Sequence, residues 1–196
     1  MSTDTRERLI DAVETVLSEE GVAGLSLRRV ARLAGVSHAA PGVLFGDRAG
    51  MLTAFATRGF EELGDRMQGA LAEDLDGPGS LAAVGQAYVD FAFDRPAVFE
   101  ILFRQDQLKA HDEAYMAAAR GAFRPLATAL HRCRADGAVS DEDAADVLLT
   151  AWALVHGLVM LWQSKHLAGR VQPADPRVLG RRVTALFTGL LAERAP

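Results

Sequence analysis

The chain has 196 residues, a formal net charge of −5 at pH 7 and 49% hydrophobic residues. This length allows one domain or a small domain plus a larger one, and the apolar content is sufficient for a buried core. Because the chain is not basic overall, a nucleic-acid-binding function requires a local basic patch. Residues 21–46 contain no Asp or Glu, whereas Arg28, Arg29, Arg32 and His38 fall within them.

Several features indicate a reducing cytoplasm and no membrane partner. The single cysteine, Cys133, excludes an intrachain disulfide. The N-terminal segment is polar and has no apolar signal sequence. The apolar run at 147–162 contains Thr150 and His156 and is shorter than the roughly 18–20 residues that span a bilayer. We therefore expect a cytoplasmic protein in which this run forms a buried or interface helix.

The composition and periodicity predict an all-α fold of about nine helices, because alanine is abundant and β-branched runs are scarce. The first helix has an apolar stripe at Leu9, Val13, Val16 and Leu17. A Gly- and Pro-containing segment at 76–80 predicts the clearest break. The predicted helices are 4–20, two short helices within 26–45, 48–74, 81–93, 96–105, 111–136, 141–167 and 176–193.

Residues 26–45 have the pattern of a helix-turn-helix. Ser26 is placed to cap the first helix and Ser37 the second, because a hydroxyl can accept from the free N–H groups of the turn that follows. Gly35 stands where the first helix must stop, a position that often requires a left-handed backbone. Small apolar residues allow the two helices to cross closely. Such a motif can place its second helix in the DNA major groove.

This segment and the helix before it resemble the TetR (tetracycline-repressor-like) family of transcriptional regulators. The matching residues include Arg6–Val13, Gly21, Val30, Ala31, Ala34–Ser37, Phe45, Asp47, Arg48, Met51 and Leu52. Trp152–Gly157 is similar to the Trp-x-x-x-His-Gly motif of a C-terminal domain in one branch of that family, and 94–103 resembles a segment of the same domain. The resemblance implies a DNA-binding domain at 1–50 and a ligand-binding and dimerisation domain at 51–196.

The resemblance also implies a set of DNA contacts. Ser37 and His38 would meet a phosphate at the start of the second helix, and Arg28 and Arg48 would contact other phosphates. Apolar side chains of the second helix would face base edges, where contact with a thymine methyl group is available to them. The candidate DNA contacts are Arg28, Arg29, Ser37, His38, Ala39, Ala40, Gly42, Val43 and Arg48.

The second helix departs from the family pattern at two positions. The family usually has Tyr where this chain has Gly42, and His or Tyr where it has Leu44. Both usual residues contact the DNA backbone, and the Pro41-Gly42 pair disfavours a helix. Three alternatives follow: weak DNA binding, compensation by Arg28 and Arg29, or degenerate recognition. If DNA recognition is degenerate, the chain is a helical small-molecule-binding protein.

The aromatic residues of the second half can form an ordinary core or an apolar cavity between helices, the usual kind of bundle site. The resemblance implies such a cavity for a small apolar effector. Tyr88, His156 and Arg104 could orient that ligand, although a lone histidine on an apolar face is more often a hydrogen-bonded core residue. The candidate ligand contacts are Tyr88, Phe91, Phe99, Phe103, Phe123, Trp152, His156 and Met160.

The last two long predicted helices, 141–167 and 176–193, are apolar on more than one face. A single bundle cannot readily bury all of this surface, so we expect an isologous homodimer through these helices. Two DNA-binding domains would then contact half-sites about 34–36 Å apart on a palindromic operator in double-stranded DNA.

Enzymatic interpretations find little support. The sequence has no Gly-rich phosphate loop, no Gly-x-Ser-x-Gly turn and no convincing set of zinc ligands. An all-α enzyme stays open only because a cavity with His156 can host chemistry. We expect a regulator without enzyme activity, metal or cofactor, and specifically a repressor that its effector releases from the operator.

Overall fold

The computed structural model describes residues 3–167, 169–172 and 175–193, and all regular structure in these residues is helical. The all-α prediction is confirmed. A short 3-10 helix, Gln105–Gln107, follows α6. The α-helices of the described residues are α1 (Thr3–Gly24), α2 (Leu27–Leu33), α3 (Ala40–Phe45), α4 (Arg48–Gly69), α5 (Gly77–Asp94), α6 (Pro96–Leu102), α7 (Glu113–Ala122), α8 (Arg124–Ala135), α9 (Ala144–Gln163) and α10 (Pro176–Ala192).

The contacts divide the chain into two compact units. Unit 1 comprises the residues up to Glu61 together with Arg95–Gly121, and unit 2 comprises Glu62–Asp94 together with the residues from Ala122 onward. Helix α4 therefore contributes its first part to unit 1 and its last turns to unit 2. Because these units group contacts rather than evolutionary domains, the expected domain boundary after residue 50 stays a prediction.

The core of unit 1 forms around α1, which packs against α2 and α6. Leu9, Val13 and Val16 are fully buried, as the predicted stripe requires. The helix continues beyond its predicted end, however. Gly21 has a left-handed backbone with φ of 67°, which kinks the helix, and a further turn then runs to Gly24. A glycine tolerates this backbone without steric cost.

The break between α4 and α5 lies earlier than predicted. Helix α4 ends at Gly69, and the predicted break at 76–80 is instead the first turn of α5. Asp76 caps this turn, because its carboxylate accepts a hydrogen bond from the N–H of Gly79 at 2.6 Å. Pro78 is tolerated in a first turn, where its missing N–H would have no partner within the helix.

Two further predicted helices have different bounds in the structure. The helix predicted at 111–136 is divided into α7 and α8 at Phe123, just before Pro125, which lies in the first turn of α8. Proline cannot continue a helix because it lacks an N–H and its ring clashes with the preceding turn. The helix predicted at 141–167 is shorter and spans Ala144–Gln163.

Unit 2 is organised around α5, which packs against α8, α9 and α10. The crossing with α8 is close at Gly77, where an added Cβ would overlap the backbone of Cys133. The N–H of Gly77 also donates to the Asp136 carboxylate at 2.6 Å. Burial raises the pKa of the Cys133 thiol to about 11, so the thiol is protonated and unreactive at neutral pH.

Helix α9 is 20 residues long, so the argument that its apolar run is too short to span a bilayer is wrong. Length and composition alone would allow this helix to cross a membrane, and 28% of its most apolar 18-residue window is buried in the chain. Its packing against α5, α8 and α10 is that of a bundle helix. The absence of a membrane partner stays a prediction.

We expect Gly77→Ala to destabilise the protein by about 1–3 kcal/mol, because the new methyl group forces α5 away from α8. Urea unfolding measures this loss. Gly121→Ala is the matched control, since nothing lies within 4 Å of its added Cβ, and it should be neutral or stabilise by up to about 1 kcal/mol. Equal stability of the two variants would contradict the close crossing.

Candidate nucleic-acid interface and internal cavity

Helix α2 begins and ends as the sequence predicts. The Ser26 hydroxyl accepts a hydrogen bond from the N–H of Arg29 at 3.2 Å, so Ser26 is the N-cap. Gly35 has φ of 64° just after the helix ends. Both features are local, since one hydroxyl and one left-handed backbone position are sufficient to delimit a short helix.

The second helix of the motif starts later than predicted and is short. Helix α3 has six residues and begins at Ala40, with Pro41 in its first turn. The capping role predicted for Ser37 is wrong, because its backbone carbonyl, rather than its hydroxyl, accepts the N–H of Ala40. Ser37, His38 and Ala39 are exposed in the turn that precedes α3. They therefore remain available to a partner.

A basic cleft lies beside this turn in unit 1. It is lined by Gly24, Ser26, Arg28, Arg29, Arg32 and His38. Arg28 and Arg32 are exposed, and neither forms an ion pair with any residue in the described part of the chain. Arg29 differs, since its guanidinium lies 2.7 Å from the Glu20 carboxylate. Arg32 was not among the candidates, although the acid-free stretch around it contained the signal.

Arg48, a predicted phosphate contact, forms three hydrogen bonds within unit 1. Its guanidinium donates to the carbonyl oxygens of Val22 at 2.8 Å and Leu25 at 3.2 Å, at the end of α1 and in the turn before α2. It also donates to Gln107 Oε1 at 2.9 Å. With these acceptors engaged, Arg48 holds the helix-turn-helix in place from within unit 1. The phosphate contact of Arg48 stays a prediction.

The predicted base-contacting residues of α3 differ in exposure. Val43 is 73% exposed, and nothing lies within 4 Å of a Cβ added at Gly42. Ala40, by contrast, is 6% exposed and belongs to the core, and its predicted contact with a base edge stays a prediction. The remaining candidate residues here, Ala39, Gly42 and Val43, are exposed and have small apolar side chains or none.

Unit 2 contains an apolar cavity between α5, α8, α9 and α10. Three of the predicted ligand contacts line it: Tyr88, Phe123 and Trp152. Its free volume is about 20 Å³, room for about one water molecule. The wall also includes Met67 from the end of α4 and Phe187 from α10. In this conformation the cavity is nearly closed, so any larger ligand must move the helices apart.

Several predicted ligand contacts lie elsewhere. Phe99 and Phe103 belong to unit 1, where their ring centroids are 5.4 Å apart. Phe91 is fully buried, with the Arg66 guanidinium 5.3 Å from its ring centroid. Met160 is 48% exposed. Arg104, which was expected to orient a ligand, is in unit 1 beside the carboxylates of Glu100 and Asp106, each at 3.4 Å. The sequence alone did not show which of these side chains lie at the cavity and which lie elsewhere.

His156 does not line the cavity but supports its wall. Its Nδ1 lies 2.7 Å from the hydroxyl of Tyr88, which is 1% exposed. Burial raises the pKa of Tyr88 and lowers the pKa of His156, so both side chains are neutral at pH 7. Of the two interpretations of His156, the hydrogen-bonded core residue agrees with this geometry. No metal-binding group of His, Cys, Asp or Glu occurs among the described residues.

Comparisons with known proteins agree on one family. Residues 81–192, more than half of the chain, match the family described as "Tetracyclin repressor-like, C-terminal domain". A relative, the uncharacterized HTH-type transcriptional regulator YobS of Bacillus subtilis, is 30% identical over 112 residues. That match covers 56% of this chain and 54% of YobS, so it spans about half the length of this curated relative.

Solved structures share the fold over nearly the whole chain. A protein of unknown function from Rhodococcus sp. RHA1 is 30% identical, with a TM-score of 0.82 over 96% of this chain and 95% of that one. The transcriptional regulator FadR from Bacillus subtilis, in complex with stearoyl-CoA, is 18% identical, with a TM-score of 0.76 over 93% of this chain and 97% of its own. At 18% identity the likeness to FadR shows the fold alone.

Acid should destabilise this protein in part through His156. Because burial lowers its pKa, the folded state binds the imidazole proton less readily than the unfolded chain. As the pH falls through about 6.5, the unfolded histidine protonates first and the stability contributed by the neutral side chain is lost. His156→Gln removes this titration while keeping a polar group near Tyr88.

We therefore expect His156→Gln to lose less free energy of unfolding than the wild type between about pH 7.5 and about pH 5.5. His131→Gln makes the same substitution at an exposed position of α8 and is the control for the change of side chain. Urea unfolding at both pH values measures the difference. The same pH dependence in all three proteins would contradict the buried, neutral state of His156.

Proposed function

The chain belongs to the tetracycline-repressor-like (TetR) family of transcriptional regulators, and we propose that it represses transcription by binding a palindromic operator in double-stranded DNA. The observation that carries this proposal is the basic cleft beside the helix-turn-helix. Its exposed Arg28 and Arg32 have no carboxylate partner in the described part of the chain, although the net charge of the protein is −5. Cations so placed can neutralise DNA phosphates.

The roles within this surface follow from exposure and charge. Arg28, Arg32 and His38 would contact phosphates and set the register of α3, with Ser37 nearby in the exposed turn. Val43, with Ala39 and Gly42, would face base edges, where thymine methyl groups are the matching apolar partner. Arg29 would contribute less because Glu20 neutralises much of its charge.

We propose further that a small apolar effector releases the protein from the operator. The cavity of unit 2 is lined mainly by apolar side chains but has only about 20 Å³ of free space. An effector would therefore bind more tightly to a conformation in which the helices are further apart. This difference in affinity between the two conformations shifts the population towards the one with separated helices. Met67, which lines the cavity, and Arg48, which donates to the carbonyl group of Val22 beside the helix-turn-helix, lie on the same helix, α4. This helix would transmit the conformational change to the helix-turn-helix.

A homodimer through α9 and α10 is also part of the proposal, in a cytoplasmic setting. The large exposed apolar side chains of these helices are Leu149, Met160, Leu161, Leu186 and Leu190. Apolar surface of this extent on two neighbouring helices is typical of an association face. The assignment to the branch with a Trp-x-x-x-His-Gly motif, at Trp152, His156 and Gly157, belongs to the same proposal and is compatible with the packing of His156 on Tyr88.

The alternative is a helical small-molecule-binding protein with degenerate DNA recognition. It is favoured by Gly42, which leaves open space on α3 where the family usually has a tyrosine. Selection of bound DNA from a random library by the purified protein separates the two functions. A recovered palindrome with half-sites about 34–36 Å apart supports the repressor. Recovery of nothing above non-specific background by folded, effector-free protein supports the alternative.

The double variant Arg28→Ala/Arg32→Ala should weaken operator binding. We expect the slope of log affinity against log salt to fall in magnitude by about 2, because about one phosphate contact is lost with each arginine. Binding titrations at several salt concentrations measure both quantities.

The matched control is Arg124→Ala/Arg181→Ala, which makes the same change in net charge at exposed positions of α8 and α10. It should leave the salt slope unchanged. If the two double variants weaken binding equally, the basic cleft has no specific role in DNA binding.

A further inference from the structure

We propose that Lys109, which lies outside the helix-turn-helix, binds a DNA phosphate at the C-terminal end of α3. The inference rests on the DNA-binding function proposed above. Lys109 follows the 3-10 helix, in the segment between α6 and α7, and its side chain is 46% exposed. It belongs to unit 1, as does the helix-turn-helix.

The ammonium group of Lys109 lies beside the residues that follow α3. It is 3.2 Å from the Asp47 carboxylate, and a Cβ added at Gly46 would lie 3.9 Å from its Nζ. The N–H of Gly46 donates to the carbonyl group of Gly42 at 3.0 Å, so the two glycines lie one helical turn apart on the same face. Both are exposed, as is Val43. Lys109 therefore borders the surface of α3 that would enter the major groove.

The backbone that carries Lys109 is anchored to α4. Its N–H donates to the hydroxyl of Thr53 at 2.9 Å, and Thr53 is 3% exposed. The preceding residue, Leu108, is 9% exposed, and before it Gln107 Oε1 accepts a hydrogen bond from Arg48 at 2.9 Å. A side chain on such a preorganised backbone loses less conformational entropy when it binds a phosphate than one on a mobile loop.

The ion pair with Asp47 leaves Lys109 available to DNA. Both side chains of the pair are exposed, and an exposed ion pair contributes little free energy, so a phosphate can compete for the ammonium group. The Asp47 carboxylate also accepts a hydrogen bond from the N–H of Gly50 at 2.7 Å, in the first turn of α4. Asp47 therefore keeps a partner when Lys109 turns to DNA.

A cation at this end of α3 complements the basic cleft. The cleft includes His38, two residues before α3, so it lies towards the N-terminal end of that helix. The six residues of α3 span about 9 Å, and the major groove is about 12 Å wide with a phosphate backbone on either side. Cations near both ends of α3 can thus contact both backbones. Lys109 supplies such a contact beside Gly42, which has no side chain to make one.

Acetylation of amines with and without DNA tests this contact in the unmodified protein. The chain has two lysines, Lys109 and Lys165, and both are exposed. A short mixed-sequence duplex at low salt serves as the probe, because phosphate contacts do not depend on sequence. We expect bound DNA to slow acetylation of Lys109 severalfold and to leave that of Lys165 unchanged. Mass spectrometry measures both rates in the same sample.

Lys109→Gln measures the contribution of the contact to affinity. We expect binding of the same duplex at about 0.1 M salt to weaken about five- to tenfold for each bound subunit, because one phosphate contact is lost. The slope of log affinity against log salt should fall in magnitude by about 1 for each bound subunit. Lys165→Gln makes the same substitution at an exposed position in unit 2 and should leave both quantities unchanged.

Asp47→Asn separates a phosphate contact from a structural tether. The asparagine oxygen can still accept the N–H of Gly50, whereas the ion pair with Lys109 is lost. If Lys109 contacts a phosphate, this variant binds DNA as tightly as the wild type or more tightly, because the competing carboxylate is absent. If Asp47→Asn weakens binding as Lys109→Gln does, Lys109 acts through Asp47 and the inference is overturned.

Failure of the inference and failure of the proposed function give different results. A protein that binds the duplex without protecting Lys109, or with the same salt slope in Lys109→Gln, would overturn the inference and leave DNA binding by the basic cleft intact. A folded protein that binds no duplex even at low salt would overturn both the repressor and the inference.

Discussion

The position of the helix-turn-helix depends on the guanidinium of Arg48. The carbonyl groups of Val22 and Leu25 lie where α1 ends and the chain turns into α2, and from the backbone Val22 accepts a long hydrogen bond of 3.4 Å from the N–H of Leu25. Arg48 donates to both from the first turn of α4 and reaches Gln107 with its remaining nitrogen. One side chain thereby joins three segments of unit 1, and charge-assisted hydrogen bonds of this kind are the stronger ones.

Ion pairs reinforce the same unit at its other end. Arg95 forms two hydrogen bonds with the Glu14 carboxylate, at 3.0 and 2.8 Å, and Arg58 donates to Asp11 at 2.6 Å. These pairs tie α1 to α4 and to the start of α6. They are partly exposed, so each contributes modestly to stability, but the bidentate geometry of Arg95 fixes an orientation. In the basic cleft Arg29 pairs with Glu20 of α1, whereas Arg28 and Arg32 form no ion pair within the described residues.

In unit 2, helices α5 and α8 cross closely, and part of the apolar cavity is lined by side chains that are only half-buried. At Gly77 the backbones of α5 and α8 approach so closely that no side chain fits, whereas Leu154 of α9 and Phe187 of α10, which line the cavity, are only half-buried. Unit 2 thus has a small apolar cavity beside side chains that are not fully packed within the chain. The Tyr88–His156 hydrogen bond pairs a hydroxyl of the cavity lining with a neighbouring imidazole.

The local features of this protein were determined by the sequence alone. The Ser26 cap, the left-handed Gly35 and the apolar stripe of α1 each depend on residues within one or two turns, and each was predictable. Side-chain direction across the fold was not. Arg48 turns inward, Ala40 is buried, and the phenylalanines are divided between the two units, because these outcomes depend on which distant segment supplies the nearest acceptor or apolar surface. Periodicity identifies a buried face, but only the tertiary structure decides what that face packs against.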